Sequence, residues 1–201
     1  LVRDLLLGGK SLDGLRESLP RLAADELRTR IDELEGAGVV RRTDAEDTYE
    51  LTEYGTDLEP ILLAIGAWGA RALGDPRPGD VFSLDMAILA LRATFQPEAA
   101  RGVHLTFEVW FGPIAVNVRV DDGELSVSEG EAPEADLVIS SPVLKHLMAA
   151  ELGPTDALWL GLADIKGDPR LLATFVSMFH IAPPPEHQPA LGLSSGRTAV
   201  G

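Results

Sequence analysis

The sequence contains no cysteine. That excludes disulfides, thiolate metal sites and a cysteine nucleophile, and it fits a cytoplasmic protein. Long apolar runs are also missing. The densest near the start, Leu5 to Leu7, is far too short to cross a bilayer, so no membrane insertion is expected. No signal peptide is visible, although the chain has no initiator Met and begins inside an element. The four histidines, His104, His146, His180 and His187, have no metal spacing with one another, so no metal and no cofactor is expected. A Gly-rich phosphate loop and a nucleophile elbow are absent as well. Cations are scarce: 17 Lys and Arg stand against 32 Asp and Glu, a formal net charge of −15.

What is present is apolar content of 45% over 201 residues, enough for one large domain or two small ones. Acidic charge runs along the whole chain. Residues 1–75 carry 9 cations and 16 acids, so −7; the remainder carries 8 and 16, so −8. Such charge favours solubility. Duplex DNA requires Lys and Arg to displace counterions at phosphates, so DNA binding needs the few cations to converge on one face.

A break falls at residues 74–79, where GDPRPG places two prolines and two glycines in six positions. Ahead of it, residues 1–7 read as the back part of a helix closed by Gly8 and Gly9. Ser11 caps a short helix over 12–19 that Pro20 stops. A third helix runs over 23–35, with Leu27, Ile31 and Leu34 on one face. Val39-Val40 and residues 49–51 form a hairpin whose tip holds Asp44, Glu46 and Asp47. Three helices followed by a hairpin make the winged helix-turn-helix plan, with the third helix in the recognition position.

The stretches LVRDLLLGGKSLDGLRESLP, LRTRIDELEGAGVVRR, YELTEYG and LEPILLAIGAWG resemble the HxlR-type winged-helix transcriptional regulators over residues 1–73. The last two, read as a strand, a Gly turn and an apolar helix, are the specific ones. The family's first helix normally starts about a dozen residues earlier, so part of it is expected to be missing here. The resemblance implies duplex DNA as partner and a homodimer built on the helix after the wing. Leu58, Ile61, Leu62, Ile65 and Trp68 share one face there; packing on their own domain is the alternative. Candidate DNA contacts are Lys10, Arg21, Arg28, Thr29, Arg30, Arg41 and Arg42. The recognition helix departs from the family, whose members open it with a Ser cap, a Pro and a basic residue. Here Ala23, Ala24 and Asp25 stand in those places, followed by Glu26, and both acids repel phosphate. Arg28 and Arg30 are about 200° apart around the helix. A winged helix kept for dimerisation alone is therefore the competing reading.

Beyond the break a helix gives way to period-two patterning. Val103, Leu105, Phe107, Val109 and Phe111 alternate with polar residues, as do Ile114, Val116, Val118 and Val120 after a Gly112-Pro113 turn. This predicts an antiparallel hairpin with Val109 facing Val116 and Phe107 facing Val118. Glu108 and Arg119 are expected to form a surface ion pair. Asp121-Asp122-Gly123 makes a second turn, and residues 137–140 a fourth strand. Ser141-Pro142 then serves as cap and first residue of a helix. A short helix follows Pro154, residues 162–166 form an edge strand, and a last helix carries Leu171 to Phe179. VNVRVDDGELSVSEGEAPEADLVIS and LKHLMAAELGPTDALWLGLADIKGDPRLLATFVSMF resemble the sterol-carrier-protein fold over residues 80–181. That resemblance implies an apolar small molecule or lipid held between sheet and helices. Its lining would be Phe107, Val109, Val116, Val118, Leu144, Met148, Trp159, Phe175 and Phe179, which any sheet-on-helix core would use equally well. Residues 182–201 read as a flexible tail.

The fold class expected is thus α+β, a winged helix-turn-helix domain followed by an antiparallel sheet packed with helices. The function expected is a ligand-responsive transcriptional regulator rather than an enzyme. The alternatives are an accessory, ligand-binding protein that uses its winged helix for dimerisation, and a biosynthetic enzyme using the cavity.

Overall fold

The computed structural model describes residues 1–44, 47–72 and 82–183. The expected break at 74–79 lies outside the described residues, as does the expected tail apart from Ala182 and Pro183.

The N-terminal part opens on a single 3-10 turn, Arg3–Leu5, rather than the longer helix read from residues 1–7. Strand β1 (Lys10–Ser11) follows at once, and Ser11 then caps α1 (Leu12–Ser18) by accepting the Gly14 N–H. Helix α2 (Ala24–Gly36) starts from Ala23, which has no side-chain cap. Strands β2 (Val40–Arg42) and β3 (Thr48–Leu51) form the wing, with β1 on the other side of β3. β1 was not legible beforehand, because two residues between a glycine pair and a helix carry no alternation. Leu5, Leu12, Leu15, Leu27, Ile31, Val39, Val40 and Tyr49 make the core of this part.

The expected glycine turn after the wing is instead a short helix, α3 (Glu53–Thr56), capped by Thr52. Gly55 is required there by proximity. A β-carbon on it would stand 2.0 Å from the Val39 carbonyl oxygen. Helix α4 (Glu59–Ala70) follows with Pro60 in its first turn, where a missing N–H costs nothing.

The second part begins with α5 (Leu84–Thr94), capped by Ser83. Its five-stranded sheet comprises β4 (His104–Phe111), β5 (Ile114–Asp121), β6 (Glu124–Glu129), β7 (Leu137–Ser140) and β8 (Asp164–Gly167). The spatial order is β6-β5-β4-β7-β8. Val109 pairs with Val116 and Phe107 with Val118, as the alternation requires. The β5–β6 turn is Asp122-Gly123, both at positive φ, the conformation that suits a two-residue hairpin. The pairings are antiparallel apart from β4 with β7, which is parallel.

That one parallel pair sends the chain across the outer face of the sheet between β6 and β7. Glu108 holds this crossing. Its carboxylate accepts the Ala132 N–H at 2.7 Å and the Trp110 indole N–H at 2.7 Å. Glu108 is therefore buried, and the expected ion pair with Arg119 does not form; Arg119 meets Asp121 at 3.3 Å instead. Alternation alone turns Glu108 away from the core, and the crossing segment covers that face.

Helices α5, α6 (Leu144–Met148), α7 (Pro154–Trp159) and α8 (Arg170–Met178) pack with the sheet around one core. α6 starts two residues later than expected. Val143 stands at its cap position, while the Ser141 hydroxyl accepts the Val143 N–H and donates to the Leu162 carbonyl. At the head of α8, the Asp168 carboxylate accepts from the Arg170 guanidinium and then from its backbone N–H. These bonds hold it below the usual carboxylate range. Among the described residues no helix is long and apolar enough to cross a membrane.

Two substitutions check these contacts. Gly55→Ala is expected to lower stability by about 3 kcal/mol, because the obstructing atom is backbone and cannot swing away. Glu108→Ala is expected to cost about 2 kcal/mol by leaving the Ala132 and Trp110 donors unpaired. Urea unfolding of the full chain measures both.

Candidate functional site

Helix α2 buries only Leu27 and Ile31, with Leu34 half-buried, and shows every other side to solvent. At 3.6 residues per turn the crest opposite those three residues is Asp25, Thr29 and Asp32. Arg28 and Arg30 stand on opposite shoulders. The exposed charged residues of the helix are Asp25, Glu26, Asp32, Glu33 and Glu35 against Arg28 and Arg30. The outward surface of the recognition position is therefore acidic.

The other predicted contacts are in varied states. Arg30 is taken up within its own helix, 3.1 Å from Glu33 and 3.8 Å from Glu26. Thr29 turns its hydroxyl back to the Asp25 carbonyl, at 2.9 Å. Arg41 donates to Glu50 across the wing, at 2.8 Å. Arg42 lies over the Tyr49 ring, 5.3 Å from its centroid, and donates to the Tyr49 hydroxyl. Lys10 is half-buried and ion-paired with Asp85, at the start of α5. Arg21 and Arg28 are exposed and carry no ion pair with a described residue. Arg28 borders a depression of about 380 Å³ shared with Ser11, Leu12, Asp13, Arg16 and Asp47. Two arginines there face two aspartates, so the depression has no net cationic charge.

The residues expected to form a dimer face are not all placed alike. Ile61, Ile65 and Trp68 are 55%, 58% and 71% exposed, and with Pro60 and Ala64 they line an apolar depression of about 490 Å³. α4 has no buried residue at all. Leu58 departs from this row and packs on the N-terminal core, and Leu62 is half-buried. Leu58 stands at the cap position ahead of the first turn of α4, so helical spacing does not carry it onto the exposed row.

Eight of the nine predicted lining residues meet in the second core: Phe107, Val109, Val116, Val118, Leu144, Met148, Phe175 and Phe179. Phe175 stacks on Phe179 at 4.5 Å and meets Phe107 edge-on at 5.2 Å. Trp159 does not join them. It is 82% exposed at the end of α7, whose one buried residue is Ala157. Trp159 lies two residues beyond Ala157, about 200° around the helix, so it points away from the core, while Leu158 is half-buried against it. Met178, three residues after Phe175 on the same face, is fully buried as well, and Leu137, Ile139, Leu147 and Leu172 join the same core. Among the described residues no group of three His, Asp or Glu side chains could hold a metal ion.

These placements separate two aromatic substitutions. Trp159→Ser is expected to change stability by less than about 0.5 kcal/mol. Phe175→Ala is expected to cost about 3–5 kcal/mol through the cavity it leaves. Urea midpoints of the two variants against the parent chain give the comparison.

The model of the HxlR-like helix-turn-helix family matches residues 1–76. The HTH-type transcriptional regulator YvaP of Bacillus subtilis (strain 168) is 37% identical over 76 residues, which are 35% of this chain and 70% of YvaP. YtcD, an HTH-type transcriptional regulator of the same organism, is 35% identical over 82 residues, 38% of this chain and 64% of YtcD. The chain therefore spans a little under two thirds of the length of YtcD. Among solved structures, the chain is similar to the ubiquinone synthesis protein UbiJ-SCP2 at 13% identity and a TM-score of 0.35, covering 62% of this chain and 95% of that one. It is also similar to the sec-alkylsulfatase Pisa1 from Pseudomonas sp. at 22% identity and a TM-score of 0.44, covering 49% of this chain and 16% of that one. Scores of this size carry no argument about what the second part does. The match to YvaP, over most of its length, does decide the first part: the chain belongs to the HxlR-like helix-turn-helix family.

Proposed function

We propose that this chain is a ligand-responsive transcriptional regulator. Its winged helix-turn-helix domain, residues 1–73, reads duplex DNA as a homodimer. Its second domain, residues 80–181, takes an apolar small molecule or lipid. The observation that carries the reading is α2, presented to solvent on every side but one beside a two-stranded wing, in a family whose relatives are HTH-type transcriptional regulators. Arg21 and Arg28 supply uncommitted cations, and Arg41 and Arg42 extend them along the wing. The exposed row Ile61, Ile65 and Trp68 supports the dimer, since an apolar patch of this kind calls for a partner. A large hydrophobic cluster in the second core that includes Met148 and Met178 supports the ligand, because Met adapts its shape. Entry of a ligand requires the close-packed side chains of this core to move apart. A switch also requires the ligand to prefer one of two dimer states.

The acidic crest of α2 favours a second reading, in which the winged helix serves assembly alone. One titration separates the two. Fluorescence anisotropy with the duplex upstream of the chain's own coding sequence, at low salt and micromolar protein, is expected to give a sequence-dependent rise. Arg28→Ala is expected to weaken binding and lower the salt slope by about 0.9, the value for one phosphate contact. The absence of any sequence-dependent rise would leave assembly as the function of the winged helix.

Dimerisation is checked apart from DNA. Ile65→Asp is expected to turn a dimer into a monomer in native mass spectrometry, with the far-UV spectrum unchanged. The same spectra of the parent chain, as purified, report any retained apolar molecule.

A further inference from the structure

Helix α5 is fastened to the N-terminal part at both of its ends. In its first turn Asp85 takes the Lys10 ammonium, from the strand beside Tyr49. In its last turn Arg92 takes Glu59, the first residue of α4. The two anchor points are about 10 Å apart along the helix axis. Next to the second anchor α4 and α5 are close: a β-carbon on Gly66 would stand 3.5 Å from that of Ala93. The inner face of α5 carries Ala87, Ile88 and Leu91 into the core under the sheet. Both ion pairs are partly buried. The side chains of Lys10 and Asp85 are 23% and 27% exposed, so solvent screens them less than the pairs on α2.

Lys10 belongs to the cations named above for DNA, and it is the one held by the other half of the molecule. We propose that Asp85 acts as an internal stand-in for a DNA phosphate. In the latched arrangement it withholds Lys10, and displacement of α5 from its seat releases that cation to the duplex. α5 is thereby the element through which a change in the second core alters the charge offered by the winged helix. This rests on the DNA-reading function proposed above; the latch itself does not.

The test uses the full chain and the Asp85→Asn variant, with Lys10→Gln and the double variant as controls. DNA binding is measured by anisotropy across a salt series. D85N is expected to steepen the salt slope by about 0.9 and to tighten binding roughly five- to tenfold at low salt, as one added phosphate contact does. The double variant is expected to lose that gain, and Asp85→Glu to behave as the parent chain. Equal slopes for D85N and the parent, with both binding, overturn the withholding. Amide hydrogen exchange without DNA reports the latch directly: D85N and K10Q are each expected to exchange faster in β1 and the first turn of α5. Unchanged exchange in both variants overturns the latch. If neither the parent nor D85N binds DNA, the reading under Proposed function fails together with the withholding. Faster exchange then still upholds the latch as the fastening between the two halves.

Discussion

The packing of α5 between α4 and the five-stranded sheet is the contact on which the relation of the two halves depends. One side of this helix gives Ala87, Ile88 and Leu91 to the second core, and the other meets α4 near Gly66. A helix shared in this way cannot present a polar face to solvent all round. Its polar residues are pushed to its ends, where Asp85 and Arg92 find opposite charges on the first half. Asp85 in the first turn and Arg92 in the last also complement the helix dipole, so each charge serves the helix and the contact together. Leu7 and Ala70 from the first half pack against the second core, which makes the junction apolar between its charged ends. The covered side of α4 leaves its opposite side, with Ile61, Ile65 and Trp68, as the exposed one.

Charge is the second constraint. A chain at −15 has few cations to offer any partner, and most of those near α2 already have acidic neighbours. Surface pairs of this type contribute little to stability, so their main effect is on what remains available. Arg30 and Arg41 must be drawn from Glu33 and Glu50 before they can reach anything else. A basic stripe on a folded surface depends on which carboxylates fold beside it as much as on the count of Lys and Arg.

Much of this architecture was legible in the residues. A serine cap and a proline stop placed α1, periodicities of 3.6 and 2 placed α2, α4 and the β4–β5 hairpin, and the hairpin register followed from matching its two apolar faces. Alternation is local, so it could not show that β7 lies parallel beside β4 or that the chain then covers Glu108. Helical spacing likewise could not show that Leu58 stops short of α4 or that α7 turns Ala157, and not Trp159, inward. Of the candidate site, the residue types were legible, and their commitments were not. The partner of Lys10 is 75 positions away in sequence, and nothing in the local pattern announces it.

Thr52 ties three segments together at one point. Its hydroxyl donates to the Gly38 carbonyl at 2.6 Å and accepts the Gly55 N–H at 3.0 Å, while its own N–H reaches the Val39 carbonyl. Gly55 then sits against Val39 with no room for a single added carbon. The end of α2, the first strand of the wing and the start of α3 are thus joined by a coupling with no slack. Rotation of the segment leading into α4 therefore has either to break these bonds or to carry the wing and the end of α2 with it. While the bonds hold, this threonine is a fulcrum and not a hinge.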